Sequence, residues 1–199
     1  MKKRFFALGC ALALTAGFNF SNAQAVEEGN VLIDVYGGGP NLYKAVLKTA
    51  YLNSQSEEVV KFGGLPLLGV RVGYMVSDRI SIGIDANYTT TSIAYKDGQY
   101  DYQVSSARLK AMARFEFHFG NSSNFDFYMP VGAGIKNSKF SLTSNDPNYK
   151  EAKLKGILIP ISFKIGIGGR YYFNDMIGIG LELGLGGGSL LQGGLALKF

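Results

Sequence analysis

The 199 residues contain no tryptophan, one cysteine and one histidine. Cys10 lies in the apolar stretch near the start, so a chain trimmed of that stretch has no thiol. Disulfides and thiolate metal sites are then excluded. With His118 the only imidazole, no histidine cluster is available to hold a metal either. Beyond the first residues no apolar run approaches the ~20 that a membrane-spanning helix needs, so any entry into a bilayer must be made by strands. An excess of one charge is also missing. The formal net charge is +5, but without Lys2, Lys3 and Arg4 there remain 17 basic residues against 15 acidic ones. That balance speaks against nucleic acid as a partner.

What is present begins with an export signal. Lys2, Lys3 and Arg4 form a basic start, Phe5 to Phe18 an apolar segment, and Ala23-Gln24-Ala25 places small residues where a signal peptidase needs them. The reading is a leader over residues 1–25 and a single domain over 26–199. Leu8-Gly9-Cys10 faintly resembles a lipoprotein cleavage box, but the apolar run continues through Ala11, Leu12, Ala13 and Leu14, where a lipidated cysteine should end it.

The rest of the chain alternates with period 2, the mark of strands whose successive side chains point to opposite faces. From Arg79 to Thr91, Ile80, Ile82, Ile84, Ala86 and Tyr88 share one face, and Ser81, Gly83, Asp85, Asn87 and Thr89 the other. From Arg108 to Phe119, Leu109, Ala111, Ala113, Phe115, Phe117 and Phe119 oppose Arg108, Lys110, Met112, Arg114, Glu116 and His118. Six further segments follow the rule, beginning at Val31, Leu68, Phe127, Ile157, Ile177 and Leu191. Eight strands result. Short polar turns (Ser77-Asp78, Gly120 to Asn124, Asn174-Asp175) alternate with connections that are mostly longer: Gly37 to Gly64, Lys96 to Gln99, Asn137 to Lys153 and Gly186 to Ser189. An even strand count puts both termini at the short-turn end, which in an outer-membrane barrel is the periplasmic side.

Alternation alone does not say which face is inside. A soluble lipocalin-like barrel points its apolar face inward. Here the apolar face carries about 40 large side chains, too many for an eight-stranded interior. The other face mixes charges with about a dozen glycines, which on a water-facing strand would only weaken the sheet. Tyr74, Phe117, Phe119, Phe125, Tyr171 and Phe173 lie on the apolar face near the short turns, where a membrane boundary favours aromatics. The expected fold is all-β, an eight-stranded antiparallel up-and-down transmembrane β-barrel.

The last eight residues are Gln192-Gly193-Gly194-Leu195-Ala196-Leu197-Lys198-Phe199. They resemble the terminal assembly signal of bacterial outer-membrane barrels at all four fixed positions: Gln192, Gly194, Leu197 and Phe199. In size and strand count the chain is similar to the small OmpA/OmpX-type barrels, without the C-terminal peptidoglycan-binding domain of the OmpA type. That resemblance implies integral residence in the bacterial outer membrane. It also implies the barrel-assembly machinery and outer-membrane lipid or lipopolysaccharide as partners, besides an unknown surface partner.

In this orientation the inward charges are Asp34, Arg71, Asp85, Arg108, Lys110, Arg114, Glu116, Asp126, Lys136, Lys164, Arg170, Glu182 and Lys198. Buried charges persist only when paired, so a network that plugs the lumen is expected. His118 is expected to be a satisfied lumen histidine rather than a base. No triad, metal cluster, cofactor site or phosphate loop is apparent, and Gly37-Gly38-Gly39 and Gly186-Gly187-Gly188 lack the strand-loop-helix context of phosphate binders. Asn41 to Leu52 breaks the alternation and reads as a short loop helix capped by Asn41. Its Lys44 and Lys48 are candidates for contact with lipid phosphate, against a simple bracing role. The functional expectation is a non-enzymatic structural or surface-interaction protein supporting membrane integrity, adhesion or host contact. The alternative is a narrow pore or transporter for small, apolar solutes.

Overall fold

Every alternating segment becomes a strand whose polar residues turn inward. The computed structural model describes residues 24–41, 60–97, 100–147, 152–155 and 160–199. Its strands are β1 (Val31–Asn41), β2 (Val60–Gly63), β3 (Leu67–Ser77), β4 (Ile80–Asp97), β5 (Tyr100–Asn121), β6 (Phe125–Ser144), β7 (Ala152–Lys155), β8 (Ile161–Tyr172), β9 (Ile177–Leu185) and β10 (Ser189–Lys198). Eight of them pair antiparallel in the ring β1-β3-β4-β5-β6-β8-β9-β10, which β10 closes back onto β1. The short β2 and β7 pair only with the outer reaches of β4 and β6. Closure matters because hydrocarbon offers no partner to an unpaired backbone group.

The surface is inverted relative to a soluble protein. Ile84, Ile135, Phe163, Leu181 and Leu185 are 57–66% exposed, while Asp34, Asp85, Asp126, Lys164, Arg170 and Glu182 are buried. An apolar belt this continuous is far larger than water tolerates on a monomer, and it fits a bilayer. Aromatic rings gather toward the end that holds the termini: Phe125 packs on Tyr171 at 4.7 Å and Tyr171 edge-on to Phe173 at 5.4 Å.

Glycine on the inner face makes room for two tyrosines. Tyr36 faces Gly69 across β1–β3, and Tyr128 faces Gly168 across β6–β8. In both cases a Cβ on the glycine would overlap the tyrosine ring.

The strands differ from expectation at the far end. β4, β5 and β6 continue well beyond Thr91, Arg108 and Ile135, and with β2 and β7 they form a sheet of five segments outside the apolar belt. Much of the expected Asn137–Lys153 loop is therefore strand. The tight connection shrinks until Asp97 pairs with Tyr100, and the cross-strand pair Tyr95–Tyr102 stacks at 5.3 Å. Past the belt the apolar residues change face: Ile93, Val104 and Leu142 are cross-strand neighbours on the inward parity, so an apolar-outward pattern could not be followed into the extension. Asn41 is the last residue of β1 and pairs with Ser189. The remainder of the expected helix, with Lys44 and Lys48, lies outside the described residues, as does the leader through Ala23.

At the near end Ala25 and Val26 are buried with Leu32, Met75, Tyr172 and Ala196. Lys198 Nζ donates to Ala25 O at 2.6 Å, and Gly29 N donates to Met75 O at 2.9 Å, so this short segment caps the barrel base. The ladder between β6 and β8 is interrupted. β6 and β8 pair from Phe125↔Tyr171 to Tyr128↔Gly168 and again from Val131↔Ile165, but not at Met129 and Pro130. Pro130 has no N–H to give, while its pairing with Glu116 of β5 persists.

Candidate functional site: the barrel lumen

Lumen positions alternate along each strand, so charges from seven of the eight barrel strands meet on the axis, and β10 adds the neutral Gln192. Near the base Arg170 of β8 is the organising group. Its guanidinium donates to Asp34 at 2.8 and 3.0 Å, to Glu116 at 3.1–3.3 Å and to Asp126 at 3.0 Å. Its carbon sits 4.1 Å from the centre of the Tyr128 ring. One planar cation thus holds carboxylates from β1, β5 and β6, a geometry an ammonium cannot reproduce.

A second tier lies above it. Glu182 of β9 accepts from Arg114 in a very short contact, and lies 2.5 Å from Lys164 Nζ and 3.3 Å from Arg71. Asp85 of β4 meets Lys164 at 3.1 Å, Arg71 at 3.4 Å and Arg114 at 3.5 Å. Arg114 also bonds Glu116, which joins the tiers. Neutral groups complete them. Tyr36 Oη donates to Asp85 at 2.5 Å, and Gln192 Oε1 accepts from Lys164 at 2.8 Å and from Arg71. Such a network is sustainable in a low dielectric because each carboxylate has more than one donor.

Of the charges read from sequence, the structure brings together Asp34, Arg71, Asp85, Arg114, Glu116, Asp126, Lys164, Arg170 and Glu182. Lys198 goes to the base cap. Arg108, Lys110 and Lys136 stand apart at the far end, where Lys110 Nζ donates to Gly186 O at 2.9 Å. Gln192, noted only within the terminal signature, is also a lumen ligand of two cations. Tyr36, Tyr128 and Ser81 escaped the sequence reading, because tyrosine passes as apolar and serine as filler; their inward parity was the available signal.

His118 occupies an unforeseen setting. Its Nδ1 lies 2.6 Å from Asp126 Oδ1 and its Nε2 3.1 Å from Ser81 Oγ, the connectivity of a Ser-His-Asp triad. The surroundings differ from those of an acyl-transfer site. Ser81 Oγ donates to Glu116 at 3.2 Å, all three residues are buried, and the adjoining cavity of about 10 Å³ holds about one water. An acyl substrate has no room there.

Fold and lining together define a closed eight-stranded β-barrel, apolar outside and ion-paired within. No family profile matches the chain, and no curated protein does. Among solved structures it is similar to the N-terminal β-barrel domain of OprF from Pseudomonas aeruginosa, at 17% identity and TM-score 0.42, covering 87% of this chain and 100% of that one. It is also similar to the outer membrane protein OprG of the same organism, at 12% identity and TM-score 0.46, covering 89% and 99%. A third is Ail, the attachment invasion locus protein of Yersinia pestis, at 12% identity and TM-score 0.43, covering 86% and 99%.

Proposed function

We propose that this chain is a non-enzymatic integral protein of the bacterial outer membrane. Its barrel serves as an electrically closed support for structures at the cell surface. The observation that carries this reading is the two-tier ion-pair network across the lumen, with a residual cavity of about 10 Å³ beside it. The termini and the base cap then face the periplasm, and the extension of β2, β4, β5, β6 and β7 projects outward. Its work is membrane integrity or contact with a surface partner, in a setting of lipopolysaccharide and after insertion by the barrel-assembly machinery.

The test is conductance of the refolded chain in planar bilayers, with insertion checked by a heat-modifiable gel shift. Inserted protein without current steps is the expected result. Reproducible steps in the unaltered protein would sink the closed-barrel reading. The break at Pro130 supports a second reading, a lateral path for small apolar solutes. Flux of such a solute into vesicles, without ionic current and abolished by Pro130→Ala, would favour it.

The buried Ala25 and Val26 bear on processing. A cut after Ala25 would remove the carbonyl that Lys198 holds and leave a new ammonium beside that lysine. A cut after Ala23, with Ser21 and Ala23 as the small residues, keeps the cap whole. The intact mass of the mature protein is expected to begin at Gln24; a chain beginning at Val26 would overturn this.

A further inference from the structure

Above the two tiers the lumen changes character. Strand register places Asn87, Lys110 and Lys136 in one row, and Thr89, Arg108 and Ser138 in the next. Lys110 and Lys136 are direct cross-strand partners facing inward. Like charges directly opposite destabilise a sheet. Arg108, Lys136 and Lys164 all act electrostatically on Lys110. The carboxylate acting against them is Asp85, which already serves Lys164, Arg71 and Arg114. Among the described residues no ion pair involves Lys110 or Lys136.

A second observation falls beside the lysines, where Asn87 shares their row and Ser106 lies two rows further along β5, opposite Thr91 and Phe140. Asn87 Oδ1 and Ser106 Oγ are buried without a hydrogen-bond partner, although both residues are at least 95% buried. Orphaned buried polar atoms point to solvent or an ion at the site. Water alone would satisfy these two atoms but would not offset two facing ammonium groups.

We propose that this far-end chamber binds a tetrahedral oxyanion of the phosphate or sulfate class, held between Lys110 and Lys136 with Arg108 alongside. Asn87 Oδ1, an acceptor in the same row, binds an accompanying water. The oxyanion reaches the site either free in solution or as a lipid-borne phosphate presented at the barrel mouth. Its charge is what lets the lysine pair persist.

The test follows thermal unfolding of the full mature chain in a phosphate-free maltoside detergent, titrated with inorganic phosphate or with a phosphorylated lipid A. Chloride at matched ionic strength is the control. Saturable stabilisation by inorganic phosphate beyond chloride is expected, with Lys136→Gln weakening it about tenfold. Lys110→Gln combined with Lys136→Gln should abolish the response. In phosphate-free buffer that double variant should unfold no earlier than the parent, because the repulsion is gone. Stabilisation by lipid A alone, lost in the double variant, would also support the site and identify its source. No response beyond chloride in either titration, or an equal response in the double variant, would overturn the proposal. A carboxylate from another segment neutralising the lysines would give the first of these results.

Discussion

Replacing Arg170 by methionine is expected to destabilise the barrel by about 3–5 kcal/mol, the cost of removing one partner from a buried ionic assembly. The size follows from what is left behind rather than from what is removed. Asp34, Glu116 and Asp126 each lose a donor at 2.8–3.1 Å, and Glu116 and Asp126 keep Arg114 and His118 as partners. Asp34 keeps only the longer 3.7 Å contact with Arg71. Arg170→Lys should recover little, since one ammonium cannot reach three carboxylates in different directions. Equilibrium urea unfolding in lipid vesicles, followed by far-UV circular dichroism because the chain has no tryptophan, measures the loss. Adding Asp34→Asn to Arg170→Met removes the least compensated of the stranded charges and should return a substantial part of the stability. A loss below about 1 kcal/mol for Arg170→Met would mean that the lumen carboxylates are solvated and that the closed reading of the interior is wrong.

How far the sequence disclosed this arrangement depends on which property carried the signal. Inward and outward faces were legible because the apolar set was too large for the lumen, as with Ile80, Ile82 and Ile84 against Ser81, Gly83 and Asp85. Charge parity likewise placed Arg170 and Glu182 inside. Partner choice was not legible. Arg170 meets Asp34 across 136 positions of sequence, and only barrel closure and stagger bring them together. The same holds for His118 and Ser81, 37 positions apart, whose contact depends on the register of β4 with β5. At the far end the apolar residues move to the inward parity, as with Ile93, Val104 and Leu142, and there the strand limits drawn from an apolar outer face fell short.

Ile84→Arg should cost about 2–4 kcal/mol when measured in vesicles, the penalty for arginine facing lipid near the bilayer midplane. Ile84 is 61% exposed and sits midway along the apolar face of β4, with Ile82 and Ala86 as its outward neighbours. Ala94→Arg provides the matched comparison. It has the same parity on the same strand but lies in the extension beyond the belt, opposite Gln103, where an arginine reaches water and should cost about 1 kcal/mol or less. The difference between the two variants isolates depth from strand propensity. A barrel exposed to water would treat both substitutions alike, so a difference under about 0.5 kcal/mol would remove the membrane belt from the argument. The contrast with Asp85 gives the result its meaning. One residue further along the chain a charge is held by Lys164, Arg71 and Arg114, while at Ile84 a charge meets only hydrocarbon. Period 2 makes that single step the whole distance between a charge that is paired and one that is stranded in lipid.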